Sequence, residues 1–171
     1  MKGKYRKLTL AALFAVIIAF FSWVSIPTPL TVPVTLQVFG VALCGFSLGA
    51  KWGGACIAVY ISMGAVGIPV FSFFQGGISV LTSQSGGFIF GFLILGIFCG
   101  ISRLCKLKFL MPLSGLLLCH AVGVLQFCLV TGSGVLGGIL TSSLPFILKD
   151  GVLVFLAYQT AKRIKLGEIY D

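Results

Sequence analysis

Apolar residues in this chain fall into six runs, about 8–26, 34–49, 52–66, 86–102, 109–131 and 141–161, each near the length of a membrane-spanning helix. A helix needs roughly 20 apolar residues to cross a bilayer, and the second and third runs sit at the short end of that range. Basic residues mark alternate ends of these runs. Lys2, Lys4, Arg6 and Lys7 precede the first, Lys51 separates the second from the third, Arg103, Lys106 and Lys108 follow the fourth, and Lys162, Arg163 and Lys165 close the sixth. With six crossings all of these fall on one face, and the opposite face receives none. Such an asymmetry predicts both ends on the cytoplasmic side of the cytoplasmic (inner) membrane. The expectation is an all-α membrane protein, a compact bundle of six transmembrane helices forming a single domain over 1–171.

Composition supports lipid as the solvent. Only 9% of residues are charged, against about a quarter in soluble domains. The net charge of +9 does not indicate nucleic acid, because its basic residues flank apolar runs instead of tracking along a solvated surface. The basic N-terminus followed by an apolar run resembles a secretory signal, but it lacks a small-x-small cleavage site and reads better as the first spanning helix. None of the six cysteines forms a CxxC pair, so they read as small buried hydrophobes with no metal site.

Against this background Lys149-Asp150 stands out. Asp150 is the only acidic residue before Glu168, and Lys149 is the only basic residue away from the edge of an apolar run. Charges at membrane depth are costly and mark protected, functional interiors. With a sixth helix starting near Ser142, Asp150 lies about 12 Å from its outer end. Thr35, Gln37, Gln75, Gln84, Ser85 and Gln126 fall in the same outer half. One reading is a neutralised pair joining two helices. The ring of amides favours the other, a polar ligand pocket opening outward. Adjacent helical residues diverge by about 100°, so both charges reach one point only where the helix is irregular, for which Gly151 gives an opening.

Other features admit plainer readings. Ala11, Ala15 and Ala19 form a small-xxx-small stripe that serves equally as internal packing or as a docking face. Gly45, Gly49 and Gly53 form a similar series that reads as packing. His120, in the fifth run, reads as a hydrogen-bonded packing residue, with proton relay through Asp150 the sharper alternative. No phosphate loop, zinc-binding helix or nucleophile elbow is present, so the chain is not expected to be an enzyme or to carry a cofactor.

The stretch Ile26-Pro27-Thr28-Pro29-Leu30-Thr31-Val32-Pro33-Val34-Thr35-Leu36-Gln37 resembles the BioY family, the biotin-specific S components of energy-coupling-factor (ECF) transporters. The likeness continues at Gly64-Ala65-Val66-Gly67-Ile68-Pro69-Val70-Phe71, Gln75-Gly76-Gly77, Gly86-Gly87-Phe88 and Leu144-Pro145-Phe146 with Asp150, covering almost the whole chain. The resemblance implies a six-helix S component that binds biotin near its outer side. It also implies a transmembrane coupling subunit and two ABC-type ATPase subunits as partners, with ATP used by those partners, and it favours Ala11, Ala15 and Ala19 as the docking stripe. The family pattern has Gly-Pro-Thr where this chain has Ser83-Gln84-Ser85, and a lysine where it has Leu153.

Biotin's ureido group has two N–H donors and a carbonyl acceptor. Under the resemblance Asp150 accepts from the former and Gln37 or Gln84 serves the latter, while Phe73 and Phe88 cover the ring. Thr35 and Gln75 complete the wall, and Lys149 or the backbone N–H groups of Ser85 and Gly86 take the valerate. The uncharged segments 27–33 and 67–85 form the lid. A reading from a different class is a proton-coupled secondary carrier for biotin or a similar small vitamin-like carboxylic acid.

Overall fold

In the computed structural model the described residues are 2–28, 32–105 and 108–164, and the side chains of 2–4, 6 and 7 lie outside the description. The side chains of Lys2, Lys4, Arg6 and Lys7, and the residues Lys106 and Lys165 together with Pro29, Leu30 and Thr31 of the expected lid, therefore lie outside the description.

Helix α1 (Lys2–Trp23) leads into a short antiparallel ladder of β1 (Ser25–Ile26) and β2 (Val34–Thr35), with Ser25 opposite Thr35. The Thr28 hydroxyl donates to the Val32 carbonyl at 2.7 Å and closes the proline-rich connection between them. Prolines keep this stretch out of a helix. The two strands make it a strap across the end of the bundle.

The second and third apolar runs form one continuous assignment, α2 (Gln37–Ala65), which folds back on itself at Gly49 (φ 76°, ψ 173°). A side chain would be strained at that φ, so glycine is what permits the reversal. The two legs, 37–48 and 50–65, run antiparallel. Gln37 Nε2 donates to Tyr60 Oη at 2.8 Å near their open end, and the Cys44 thiol faces the Gly53 carbonyl near the bend. A 3-10 turn (Ser72–Phe74) and a one-turn α3 (Ile78–Leu81) follow, then α4 (Gly86–Ile101) and α5 (Leu110–Thr131). Together α1, the two legs of α2, α4, α5 and the last long helix make up the six-helix bundle anticipated from the apolar runs.

That last helix starts earlier than the sequence suggested. Gly132 caps α5 in the left-handed region, and helical backbone resumes at α6 (Val135–Gly138). A π turn (Ile139–Ser143) then joins α6 to α7 (Leu144–Ile164), so the element runs over Val135–Ile164, 30 residues. Gly137 and Gly138 made the first turn look like loop. The widened turn comes just before Pro145, whose ring and missing N–H are hard to fit into a regular helix. Asp150 thus lies about 22 Å along this helix, near its midpoint, which corrects the shallower depth inferred from a start at Ser142.

The core is built around α2, which packs against α1, α4 and α7, while α4 also packs on α5. Cys44, Cys56, Cys99 and Cys119 are free and buried in it. The Ala11, Ala15 and Ala19 stripe faces inward. Ala15 and Ala19 are only 3% and 4% exposed, and the Ala11 carbonyl accepts from the Cys56 thiol at 3.0 Å. Ala15 and Ala19 are thus taken up by the α1–α2 contact, while Ala11 is partly exposed.

The described basic residues gather at one end. Arg103 donates to the Ser47 carbonyl beside the Gly49 bend, and Phe46 and Phe109 both pack on Tyr158, one turn from Lys162. The exception is Lys149.

Candidate functional site

Asp150 projects from α7 into the bundle and is 6% exposed. Its Oδ2 lies 3.3 Å from His120 Nε2 on α5, and His120 Nδ1 is 2.9 Å from the Ser143 hydroxyl in the π turn. A carboxylate facing Nε2 places the proton there and leaves Nδ1 to accept from Ser143, an assignment made from the network. Phe88 meets the imidazole edge-on, with ring centroids 5.6 Å apart. The bland reading of His120 thus omitted its carboxylate partner. The two residues are 30 positions apart in sequence, and no local pattern pairs them.

Lys149 reaches the same carboxylate by a different route. Its Nζ lies 2.5 Å from Asp150 Oδ1 and donates to the Thr35 carbonyl of β2 at 3.0 Å. The helix is unbroken through Gly151, so the irregularity expected there is absent. The long lysine stem instead spans the angle between neighbours, keeping its ammonium at the edge of the bundle. Oδ1 is sealed from solvent, and the ammonium is its charge partner. A buried carboxylate is costly unless it is paired, and here Lys149 and His120 both face it.

Two cavities adjoin this centre. One of about 40 Å³ surrounds Asp150, Lys149 and His120. The other, about 270 Å³, lies between β2, the 71–75 turn, the 80–85 segment and α4. Val32, Pro33, Thr35, Phe88 and Phe92 line both, so the two are neighbours. Among the residues expected from sequence, Thr35 and Phe88 wall both cavities, Lys149 and Asp150 belong to the smaller, and Gln37, Phe73, Gln75 and Ser85 line the larger. Gln84 and Gly86 line neither. A Cβ at Gly86 would sit 1.8 Å from the Leu81 carbonyl oxygen, so this glycine serves close packing. Its N–H donates to the Ser83 carbonyl, which removes it as a donor for a ligand.

The amide ring divides on closer view. Gln37 accepts from Ser22 Oγ at 3.3 Å and donates to Tyr60 Oη, which in turn donates to the Val70 carbonyl at 3.0 Å. Gln126 donates to the carbonyls of Leu81 and Ser83 at 2.7 and 2.9 Å. Both hold backbone in place around the cavity, and Gln75, which is exposed, is the freer group. Tyr60→Phe is expected to leave the Val70 carbonyl and the Gln37 amide short of partners. That costs about 1–3 kcal/mol, readable as a lower midpoint of thermal unfolding.

Phe73 and Phe74 both adopt left-handed backbone, φ 56° and 57°. For bulky residues this is strain, of a kind that concentrates at ligand clamps. The neighbouring contacts hold it: Phe74 stacks on Trp23 with centroids 4.8 Å apart, Trp23 Nε1 donates to the Pro69 carbonyl, and Phe71 pairs with Gln75. Phe73, 44% exposed, is left over the larger cavity.

The family model described as "BioY family" matches residues 1–167. The chain belongs to the BioY family. Its relatives include the "Biotin transporter BioY" of Thermotoga maritima, 34% identical over 168 residues, covering 96% of this chain and 98% of that protein. The "Probable biotin transporter BioY" of Pyrococcus horikoshii is 35% identical, covering 95% and 98%. A solved structure, described as "Crystal structure at 2.1 A of the S-component for biotin from an ECF-type ABC transporter", superposes with a TM-score of 0.87 at 23% identity, over 95% of this chain and 92% of that one. That likeness fixes the fold. This BioY-family chain is therefore a membrane-embedded bundle of the ECF S-component type, and its named relatives are transporters, not enzymes.

Proposed function

We propose that this chain is the biotin-binding S component of an ECF transporter in the cytoplasmic membrane, with both termini cytoplasmic and the cavity facing outward. The transmembrane coupling subunit and two ABC-type ATPase subunits supply the energy. The observation that carries the reading is Asp150, a buried carboxylate held between Lys149 and His120 at the wall of a mostly apolar cavity. The ureido N–H groups of biotin are donors of the right kind. Phe88 and Phe92 flank the fused ring, and Phe73 closes over it.

The larger cavity, about 270 Å³, is near the lower end, about 300 Å³, of common ligand sites. The valerate runs into it, towards the Ser83 and Ser85 hydroxyls, which lie 3.2 Å apart on its wall. Lys149 offsets the charge of Asp150 and ties α7 to the β2 strap, so ligand at the carboxylate bears directly on the strap. Relatives named as biotin transporters, at 34% and 35% identity over nearly the whole chain, support the assignment. Uptake of labelled biotin by cells expressing the chain with ECF partners tests it, and uptake unaffected by inactivating the ATPases would overturn the coupled form of the proposal.

His120 acts here by holding Asp150. His120→Phe removes the contact to Oδ2 and is expected to weaken biotin binding about threefold to tenfold, equivalent to roughly 0.7–1.4 kcal/mol. Fluorescence titration of the purified variant checks this. His120→Gln, which keeps a donor, should recover part of the loss.

The His120–Asp150 contact of 3.3 Å also favours a second reading, a proton-coupled carrier with this pair as the relay. It predicts uptake that collapses with a protonophore and persists without any ATPase.

A further inference from the structure

A third cavity, about 180 Å³, lies between α5, α7 and the first leg of α2, reaching from Gly151 towards the basic end of the bundle. Helices α5 and α7 touch only sparingly and leave a groove between them. Phe46 and Leu116 form its floor, and Leu113 and Phe155, each about half exposed, form its rims. Nothing polar lines the groove until its end, where Tyr158 and Lys108 stand.

Gly151 is the unexpected wall residue. Glycine inside a helix is destabilising relative to alanine and usually reflects a close packing contact. Here a Cβ would meet nothing within 4 Å. Its lack of a side chain serves no contact in the chain, and what it does is keep the inner end of the groove open.

Along α7 the groove changes character in order. Gly151, Val154 and Phe155 are apolar, Tyr158 adds an aromatic ring with a polar tip, and the Lys162 ammonium lies 5.8 Å from the centre of that ring. Lys108, just before α5, faces the same end. From Gly151 to Lys162 is about 16 Å of helix. Asp150 is the only carboxylate among the described residues, so neither lysine meets one there. Apolar slot, interfacial aromatic and paired cations follow the sequence of a phospholipid: acyl chain, glycerol region and phosphate. Basic pockets between membrane helices bind anionic headgroups in this way, and apolar voids on the order of 150 Å³ stay dry and accept apolar guests.

We propose that this groove is a binding site for one anionic glycerophospholipid, its acyl chain against Gly151 and its phosphate held by Lys108 and Lys162. This goes beyond the biotin reading and does not depend on it. Leu116 alone is shared with the small cavity at Asp150; the other residues of the site line neither cavity there.

The test is the thermal unfolding midpoint of the purified full chain in detergent micelles, doped in turn with dioleoylphosphatidylglycerol, dioleoylphosphatidylcholine or inorganic phosphate. Native mass spectrometry counts retained lipid. The phosphatidylglycerol is expected to raise the midpoint by about 4 °C or more, a shift expected of ligand binding in a chain of this size. The other two additives should give little. Lys108→Gln with Lys162→Gln should weaken the phosphatidylglycerol effect at least fivefold in apparent affinity, and Gly151→Leu should abolish retained lipid by filling the slot. A monodisperse elution profile and a cooperative unfolding transition of the same samples without lipid report their folding.

Equal stabilisation by both lipids would overturn the proposal in favour of an apolar partner surface. An equal effect of inorganic phosphate would reduce the site to a surface anion contact and overturn it too. An undiminished phosphatidylglycerol preference in the lysine variant would also overturn it, and that variant decides the matter should Gly151→Leu fail to fold.

Discussion

Asp150→Asn is expected to weaken biotin binding at least tenfold while leaving the protein folded. The substitution keeps the size of the side chain, and asparagine Oδ1 still accepts from His120 Nε2, which faces the native carboxylate at 3.3 Å. Lys149 loses its counter-charge, but its side chain is 27% exposed and it keeps the Thr35 carbonyl as an acceptor. The fold therefore tolerates the change. The ligand does not, because a charged acceptor facing an N–H donor becomes a neutral amide that can also present its own N–H groups. Hydrogen bonds to charged groups are worth about 1.5–3 kcal/mol, and about 1.4 kcal/mol is already tenfold in affinity. Calorimetric titration measures the affinity, and the unfolding midpoint serves as control. Unchanged affinity would make Asp150 a structural partner of His120 and Lys149 and nothing more.

Gly100→Leu is expected to prevent accumulation of folded protein. A Cβ at Gly100 would lie 2.2 Å from the backbone nitrogen of Ala50 and 2.5 Å from the Gly49 carbonyl carbon. Those atoms belong to the bend that reverses α2, so relief requires moving a whole helix end. Gly45 shows the same closeness, 2.3 Å to the Gly96 carbonyl oxygen. In lipid, helices are held by such close approach of backbones, because the tails around them are as apolar as leucine. Overpacking typically costs about 1–3 kcal/mol and more where backbone must move, as here, a large share of the roughly 5–15 kcal/mol that holds a domain folded. Gly137→Ala, which meets nothing within 4 Å, should by contrast extract normally. Yield of monodisperse protein after detergent extraction compares both variants with the unsubstituted chain, and a Gly100→Leu protein with native yield and midpoint would contradict the packing assigned to the α2–α4 crossing.

Much of the fold was legible because two physical signals are written locally. Apolar runs record helix length, and basic residues at their ends record which face stays out of the hydrocarbon. The site was legible only in part, because its chemistry depends on long-range contacts. Asp150 announces itself as a lone buried acid, yet its partner His120 is placed by the α5–α7 packing, and Ser143 by a π turn that no pattern foretold. Gln37 looked like a ligand group because it is an amide near the outer end. The Ser22 and Tyr60 hydroxyls that occupy it come from α1 and from the second leg of α2, beyond the bend at Gly49. The alanine stripe shows the same limit, since spacing says that something packs closely and not which side it comes from. Residues 135–140 show the reverse error, where the run after the Gly132–Gly134 connection looked like loop and the structure has helix.

The central claim is that this chain by itself holds biotin in the cavity above Asp150. Calorimetric titration of biotin into the detergent-purified chain tests it most directly. A saturable exothermic or endothermic curve with one site per chain is the predicted result. No binding of biotin, under conditions where a different vitamin-like carboxylic acid saturates the same protein, would contradict it.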